Sequence, residues 1–231
     1  MSKNKRLKSP DTSLATQSNK LIEASYKMSV PAKRVMLMLL GQIHPGQQDI
    51  SGKISIEAAD YAKRTGVSFS VAYRDIKNGC RELMRTIITT KNFKAKTIEE
   101  CVVVQWMKYH EKEWCLEATF TPWIAPFIHK LRGLGYKTIE INEALKFKRF
   151  HTIRLYELMM QWDATGVRLI TILDIRSAFN IEKQSYPAFK DFRVKVLEPS
   201  VKEINEKTNL KVKWDPVKTG RKITSLKFSF D

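Results

Sequence analysis

Apolar residues recur at helical spacing over much of this chain, interrupted by short stretches that alternate. A helical pattern begins near Asn19 and resumes at Pro31, where proline suits a first turn, and Val35, Met36, Leu39, Leu40 and Ile43 then share one face. Residues 44–52 read as a loop. Lys53–Ile56 alternates like a short strand, and a short helix is predicted from about Glu57 to Arg64. Thr65–Ser68 is a tight turn ending in a capping serine, followed by a longer helix to about Arg85. Beyond it Thr86–Lys91, Cys101–Tyr109 and Trp114–Phe120 are rich in β-formers, and the polar stretch between the first two is basic at its start. Strand, short helix, glycine-containing turn, longer helix and hairpin together make a winged helix-turn-helix.

The second half repeats this order. A helix from about Lys148 to Asp163 precedes Gly166, the strand-like Arg168–Ile172, a short helix Asp174–Phe179 and a turn Asn180–Tyr186. A longer helix starts at Pro187 and is expected to kink or restart at Pro199, before Ser200–Lys207. Leu210–Trp214 and Ile223–Phe230 would close a hairpin around D-P-V-K-T-G-R-K. Ile56, Tyr61 and Val67 align with Ile170, Ile175 and Ile181, and Tyr73, Ile76 and Cys80 with Phe189, Phe192 and Val196. Identity between the halves is negligible, but the shared order of elements favours duplication. The expected architecture is α+β, two tandem winged-helix domains. Residues 1–18 form a flexible basic arm, 19–132 the N-terminal domain and 133–231 the C-terminal domain.

On the long helix of the first half, Phe69, Ala72, Tyr73, Ile76, Cys80 and Leu83 form an apolar stripe. The opposite face collects Ser70, Arg74, Lys77, Asn78, Arg81 and Arg85, with no acid among them; Ser68 caps the helix, and Asp75 and Glu82 fall to one side. Solvated helix faces usually mix signs, so a face made only of donors is expected to meet phosphate or a groove. In the second half Phe189, Phe192 and Val196 make the stripe, while Lys190, Asp191, Val194 and Lys195 point away and Arg193 sits at the flank. Arg and Lys suit guanine, Asp suits cytosine and Val suits a thymine methyl. Lys183, Gln184, Ser185 and Tyr186 occupy the turn and helix start, the end that usually enters the major groove. Lys94 and Lys96 in one hairpin, and Lys218, Arg221 and Lys222 in the other, are candidate wing-tip contacts.

Charge supports this picture. The chain has 231 residues and a formal net charge of +17. Residues 1–132 carry 22 basic and 12 acidic side chains, and residues 133–231 carry 19 and 12, so neither half owes its excess to a tail. Such an excess draws a protein to polyanions. Cys80, Cys101 and Cys115 are odd in number and lack C-x-x-C spacing, pointing to free thiols in a reducing compartment. No apolar leader opens the sequence and no run is long enough for a bilayer, so a cytoplasmic protein with no membrane partner is expected.

Chemistry is hard to find. Gly46–Ile54 has five residues between its glycines, and Ile54 sits where a phosphate loop needs Ser or Thr. His44, His110, His129 and His151 are scattered, with no H-x-H or H-E-x-x-H spacing, and no nucleophile elbow exists. Trp123 with Phe127, and Tyr156 with Met160 and Trp162, read as core. The expectation is no enzyme, no metal and no cofactor.

Three segments resemble the Rep-type initiators of iteron-containing bacterial plasmids: Asn19–Leu40, Arg149–Trp162 with R-L-Y-E-L at Arg154–Leu158, and Phe189–Trp214 with V-L-E-P at Val196–Pro199. The resemblance implies two winged-helix domains that bind directly repeated origin sites as a monomer and an inverted operator as a homodimer, repressing their own gene. It implies base contacts mainly from the C-terminal domain, and backbone contacts and dimerisation from the N-terminal one, with the apolar helix Val35–Ile43 coupling the domains or holding the dimer. It implies origin melting and recruitment of the host initiator protein and replicative helicase. Other readings are a winged-helix repressor without an origin role, a nicking or priming enzyme, and a protein-interaction module for acidic partners.

Overall fold

The computed structural model describes residues 12–44, 50–92, 96–128, 135–182 and 184–231. The N-terminal half runs β1 (Leu14–Ser18), α1 (Asn19–Glu23), α2 (Val30–Leu40), β2 (Ile54–Glu57), α3 (Ala58–Thr65), α4 (Phe69–Leu83), β3 (Ile87–Asn92), β4 (Thr97–Val102), β5 (Val104–His110) and β6 (Cys115–Phe120). Then come α5 (Ala125–Ile128), β7 (Tyr136–Glu140), α6 (Ile141–Ala144) and α7 (Phe150–Met160). The remainder is β8 (Val167–Thr171), α8 (Ile172–Ala178), α9 (Phe189–Phe192), α10 (Glu198–Lys207), β9 (Lys213–Thr219) and β10 (Lys222–Ser229). Helix α2 opens as expected: Ser29 caps it by accepting from the Ala32 amide, and Pro31 stands in its first turn. Every residue from Ala32 to Leu40 is buried.

Two three-stranded antiparallel sheets, β2–β6–β5 and β8–β10–β9, each stand beside a helix-turn-helix, α3–α4 and α8–α9. The aligned landmarks fall where duplication would put them, with Ile56 and Ile170 on the matching strands and Tyr61 and Ile175 buried on the matching short helices. The first turn uses Gly66 at a left-handed φ of 73°, and Ser68 caps α4 through the Val71 amide.

The wing of the first unit is not where the sequence reading puts it. Cys101–Tyr109 is two strands, separated at the buried Val103, and they belong to different sheets. The hairpin β3–β4, whose turn contains Lys96, forms a separate two-stranded sheet, while β5 and β6 join β2. Composition makes consecutive β-rich runs neighbours, whereas a one-residue bend here lets the chain change sheet. In the second wing the strands run further than expected, leaving a turn at Gly220 and Arg221, with Gly220 at φ 62°.

The arm also ends earlier. Leu14–Ser18 pairs antiparallel with Tyr136–Glu140, and Ser18 caps α1 by accepting from the Leu21 amide. Polar Thr16, Gln17 and Ser18 are buried because each finds a partner, which a polarity reading cannot foresee. Residues 1–11 lie outside the described residues. Two tryptophans read as core are on the surface: Trp123 is 79% exposed and Trp162 47%. Trp123 stands in a single 3-10 turn, Pro122–Ile124, and Trp162 in the turn after α7, where α-helical periodicity does not apply.

Helices α2 and α4 approach closely at Gly79. A β-carbon there would sit 3.0 Å from Val35 Cγ2 and 3.1 Å from the backbone of Pro31 and Ala32. Backbone cannot yield as a side-chain tip can, so Gly79→Val is expected to destabilise the fold by about 1–3 kcal/mol, read as a shifted urea midpoint. An unchanged midpoint would mean the helices separate freely.

At the centre lies a buried charge network. Arg154, Glu157 and Lys33 are all fully buried. Arg154 donates to the Ile22 carbonyl (2.6 Å), the Ala24 carbonyl (3.0 Å), the Ala178 carbonyl (3.2 Å), Tyr26 Oη (2.6 Å) and Glu157 Oε2 (2.6 Å). These satisfy all five guanidinium N–H groups. Glu157 Oε1 accepts from Lys33 Nζ at 2.7 Å and Gln17 Nε2 at 3.0 Å. One cation thus ties the segment after α1 to the end of α8, and α2 reaches the same carboxylate.

The second long helix is continuous but irregular. Between α9 and α10, Arg193–Leu197 winds as a π-turn, with the Glu198 amide bonding the Arg193 carbonyl. Pro199 follows within the first turn of α10. Proline has no N–H to give the carbonyl four residues back, and the wider turn takes up that break where a kink was expected.

Candidate nucleic-acid interface

Helix α4 buries Ala72, Asp75, Ile76, Gly79, Cys80 and Leu83. Ser68, Ser70, Arg74, Asn78, Arg81 and Arg85 are exposed, as the spacing predicts. The two acids near this face are withdrawn from it. Asp75 is buried, and both oxygens of Glu82 accept from Ser29, at 2.7 Å from its amide and 2.5 Å from its hydroxyl. Arg74 stays 65% exposed, touching Asp75 only at 3.5 Å. Lys77 differs: it is half-buried, with Nζ 5.3 Å from the centroid of the Tyr109 ring on β5. Burial raises the Tyr109 phenol pKa, so the ring stays neutral beneath that ammonium.

Aromatic contacts brace the start of α4 against the true wing. Trp114, at φ 52°, meets Phe69 at 5.5 Å and Tyr73 at 4.9 Å between centroids. Phe69, read as core, is 43% exposed beside it because it begins the helix and has no preceding turn to cover it. The wing turn carries Glu111, Lys112 and Glu113, so it lacks the expected basic character. Lys96 is exposed in the β3–β4 turn, away from this wing, and Lys94 lies outside the described residues.

In the second half Phe192, Val196 and Leu197 are buried. Gln184, Ser185, Lys190, Val194 and Lys195 are exposed; Tyr186, Asp191 and Arg193 are half-buried, and Lys183 lies outside the described residues. Arg193 Nε is 3.4 Å from Glu198 Oε1, with the side chain 43% exposed. The turn is built by a residue that sequence reasoning missed. Arg176 of α8 donates to the carbonyls of Glu182 (2.8 Å), Tyr186 (3.1 Å) and Ser185. Tyr186 takes a left-handed φ of 55°, and Lys195 Nζ lies 5.7 Å from the centroid of its ring. Lys218, Arg221 and Lys222 are exposed along and at the turn of the second wing. Two helix faces rich in donors therefore stand on two helix-turn-helix units.

Comparison with known proteins follows the same division. Residues 14–160 match the family described as Initiator Replication protein, WH1, and residues 171–230 match Initiator Rep protein, WH2. The first match runs through α7, beyond the boundary expected at Gly133. The PI protein of Escherichia coli is 28% identical, with 92% of this chain and 80% of that protein covered. An uncharacterized 27.6 kDa protein of Escherichia coli is 26% identical over 91% of this chain and 92% of its own length. The crystal structure of Pi initiator protein in complex with iteron DNA shares the fold, with a TM-score of 0.82 at 24% identity over 95% of this chain and 97% of that one. With its two helix-turn-helix units, their sheets and both matches in register, the chain belongs to the initiator replication protein family of two winged-helix domains.

Proposed function

We propose that this protein starts plasmid replication by binding directly repeated duplex sites at an origin. The observation that carries the proposal is the acid-free, exposed donor face of α4 standing beside a second helix-turn-helix whose turn is pinned by Arg176. Family membership and the iteron DNA bound by the structurally similar Pi protein support it. The N-terminal unit extends through α7, grips backbone and forms the dimer; the C-terminal unit from β8 onward reads bases. The assigned contacts are Ser68, Ser70, Arg74, Lys77, Asn78, Arg81 and Arg85 in the first unit. In the second they are Lys183–Tyr186, Lys190, Asp191, Arg193, Val194, Lys195, Lys218, Arg221 and Lys222. Bound copies melt an AT-rich segment and bring in the host initiator protein and replicative helicase in the cytoplasm. As a homodimer the protein occupies an inverted operator and represses its own gene. The chemistry is binding energy used to reorganise DNA, without an enzymatic step.

Supplying the gene in trans to a plasmid stripped of its initiator tests this: replication is expected to return. Operator repression without rescue would make the protein a winged-helix repressor instead. Arg193→Ala is expected to cost about 1–3 kcal/mol in binding to the repeats, and unchanged affinity would remove Arg193 from the interface.

A further inference from the structure

Between the two helix-turn-helix units lies an open cleft of about 560 Å³, lined by Lys27, Asn78, Arg81, Arg85 and Asn180 among others. One wall is the outward face of α4; the opposite wall is the start of the second unit's turn. Neither Lys27 nor Asn180 belongs to the contact faces named above. Among the described residues, no carboxylate pairs with Lys27, Arg81 or Arg85, and the one acid in the lining, Glu82, is engaged by Ser29. His151 adds no charge nearby: burial, and then the Lys27 ammonium, push its pKa down to about 4. The cleft is cationic and its cations are free to be used.

The segment bearing Lys27 is held against both walls, against α4 by the bonds from Ser29 to Glu82 and against the second unit's turn by two further ties. The Arg154 guanidinium bonds the carbonyls of Ile22 and Ala24, shortly before Lys27, and that of Ala178, two residues before Asn180. The Ser25 hydroxyl donates to Asn180 Oδ1 at 3.1 Å, and Ser25 pairs with Thr89 through both backbone bonds. A seat whose walls are set before binding loses little freedom on receiving a ligand.

We propose that this cleft seats the phosphate backbone of the duplex where it passes from one recognition helix to the other, with Lys27, Arg81 and Arg85 as its cations and Asn180 at its far wall. The proposal rests on the DNA-binding reading above and adds a third contact region between the two helices. Adjacent major grooves on one face are about 34–36 Å apart, so a backbone must cross between two helices placed in them. Arg81, in the last turn of α4, and Arg85, just beyond it, line the cleft and reach that backbone there.

The test titrates a random-sequence duplex of about three helical turns with the whole protein between about 50 and 200 mM salt. Lys27→Ala is expected to lower the slope of log affinity against log salt by about one, the loss of a single phosphate contact. Asn180→Asp is nearly isosteric and tolerates the left-handed φ of 50° at that position, and its carboxylate still accepts from Ser25. It is expected to weaken binding several-fold at low salt while the melting temperature stays put. An unaltered slope for Lys27→Ala, or unaltered affinity for Asn180→Asp, overturns the cleft as a backbone seat and leaves the DNA-binding reading standing. A wild-type protein with no salt-dependent affinity for the duplex defeats that reading itself.

Discussion

Arg154→Ala is expected to destabilise the protein by about 3–5 kcal/mol, the usual cost of removing one partner from a buried ion pair. The guanidinium supplies all five of its donors to buried groups, so its loss strands three carbonyls and one oxygen of Glu157 together, and leaves the Tyr26 oxygen with Lys33 alone. Urea unfolding followed by tryptophan fluorescence measures it, and a change below about 1 kcal/mol would mean the network carries no more than an ordinary surface pair.

The same site has a pH signature. Burial pushes the Glu157 pKa up, but Lys33 and Arg154 outweigh it, and the folded value lies below the usual carboxylate range. A depressed folded value contributes stability that is complete above the unfolded pKa of about 4.3 and lost as pH falls through the folded one. Without Arg154 the folded value rises toward the unfolded one, so the stability lost between the two is smaller and its loss is complete at a higher pH. An acid-unfolding curve that does not move would show that Lys33 alone holds the carboxylate.

Arg74→Ala combined with Arg81→Ala carries the largest expected effect on DNA. Both side chains are exposed on the face of α4 from which acids are withdrawn. Removing two phosphate contacts should weaken binding to all duplex sequences alike and lower the salt slope by about two. A slope equal to that of the wild type would take α4 out of the interface altogether.

What the sequence disclosed follows from which residues obey a period. Most of helix α4 was legible, Phe69 and Lys77 apart, because its apolar and donor residues segregate at 100° per residue, and water does the sorting. The matching landmarks of the two halves were legible for the same reason. Arg154, Glu157 and Lys33 were not: a charged residue reads as solvated unless its partners are known, and these partners come from segments as distant as Gln17 and Ala178. The R-L-Y-E-L pattern flagged Arg154 and Glu157 as family features without saying that they are buried. The wing was misplaced because a bend at Val103 leaves no mark in composition, and Arg176 was missed because its work is done on backbone carbonyls.

The π-turn at Arg193–Leu197 has a consequence for how such a protein can change. Phe192 and Val196 before and within it, and Val201 and Ile204 after it, all reach the interior, although a regular helix of that length would carry the later pair around toward water. The wide turn therefore stores one surplus residue, and that surplus lies beside the exposed Lys190, Val194 and Lys195. Gaining or shedding a single residue there re-aims the outward set while the anchors on either side keep their places. That outward face is thereby free to drift in length and aim without asking the interior to follow.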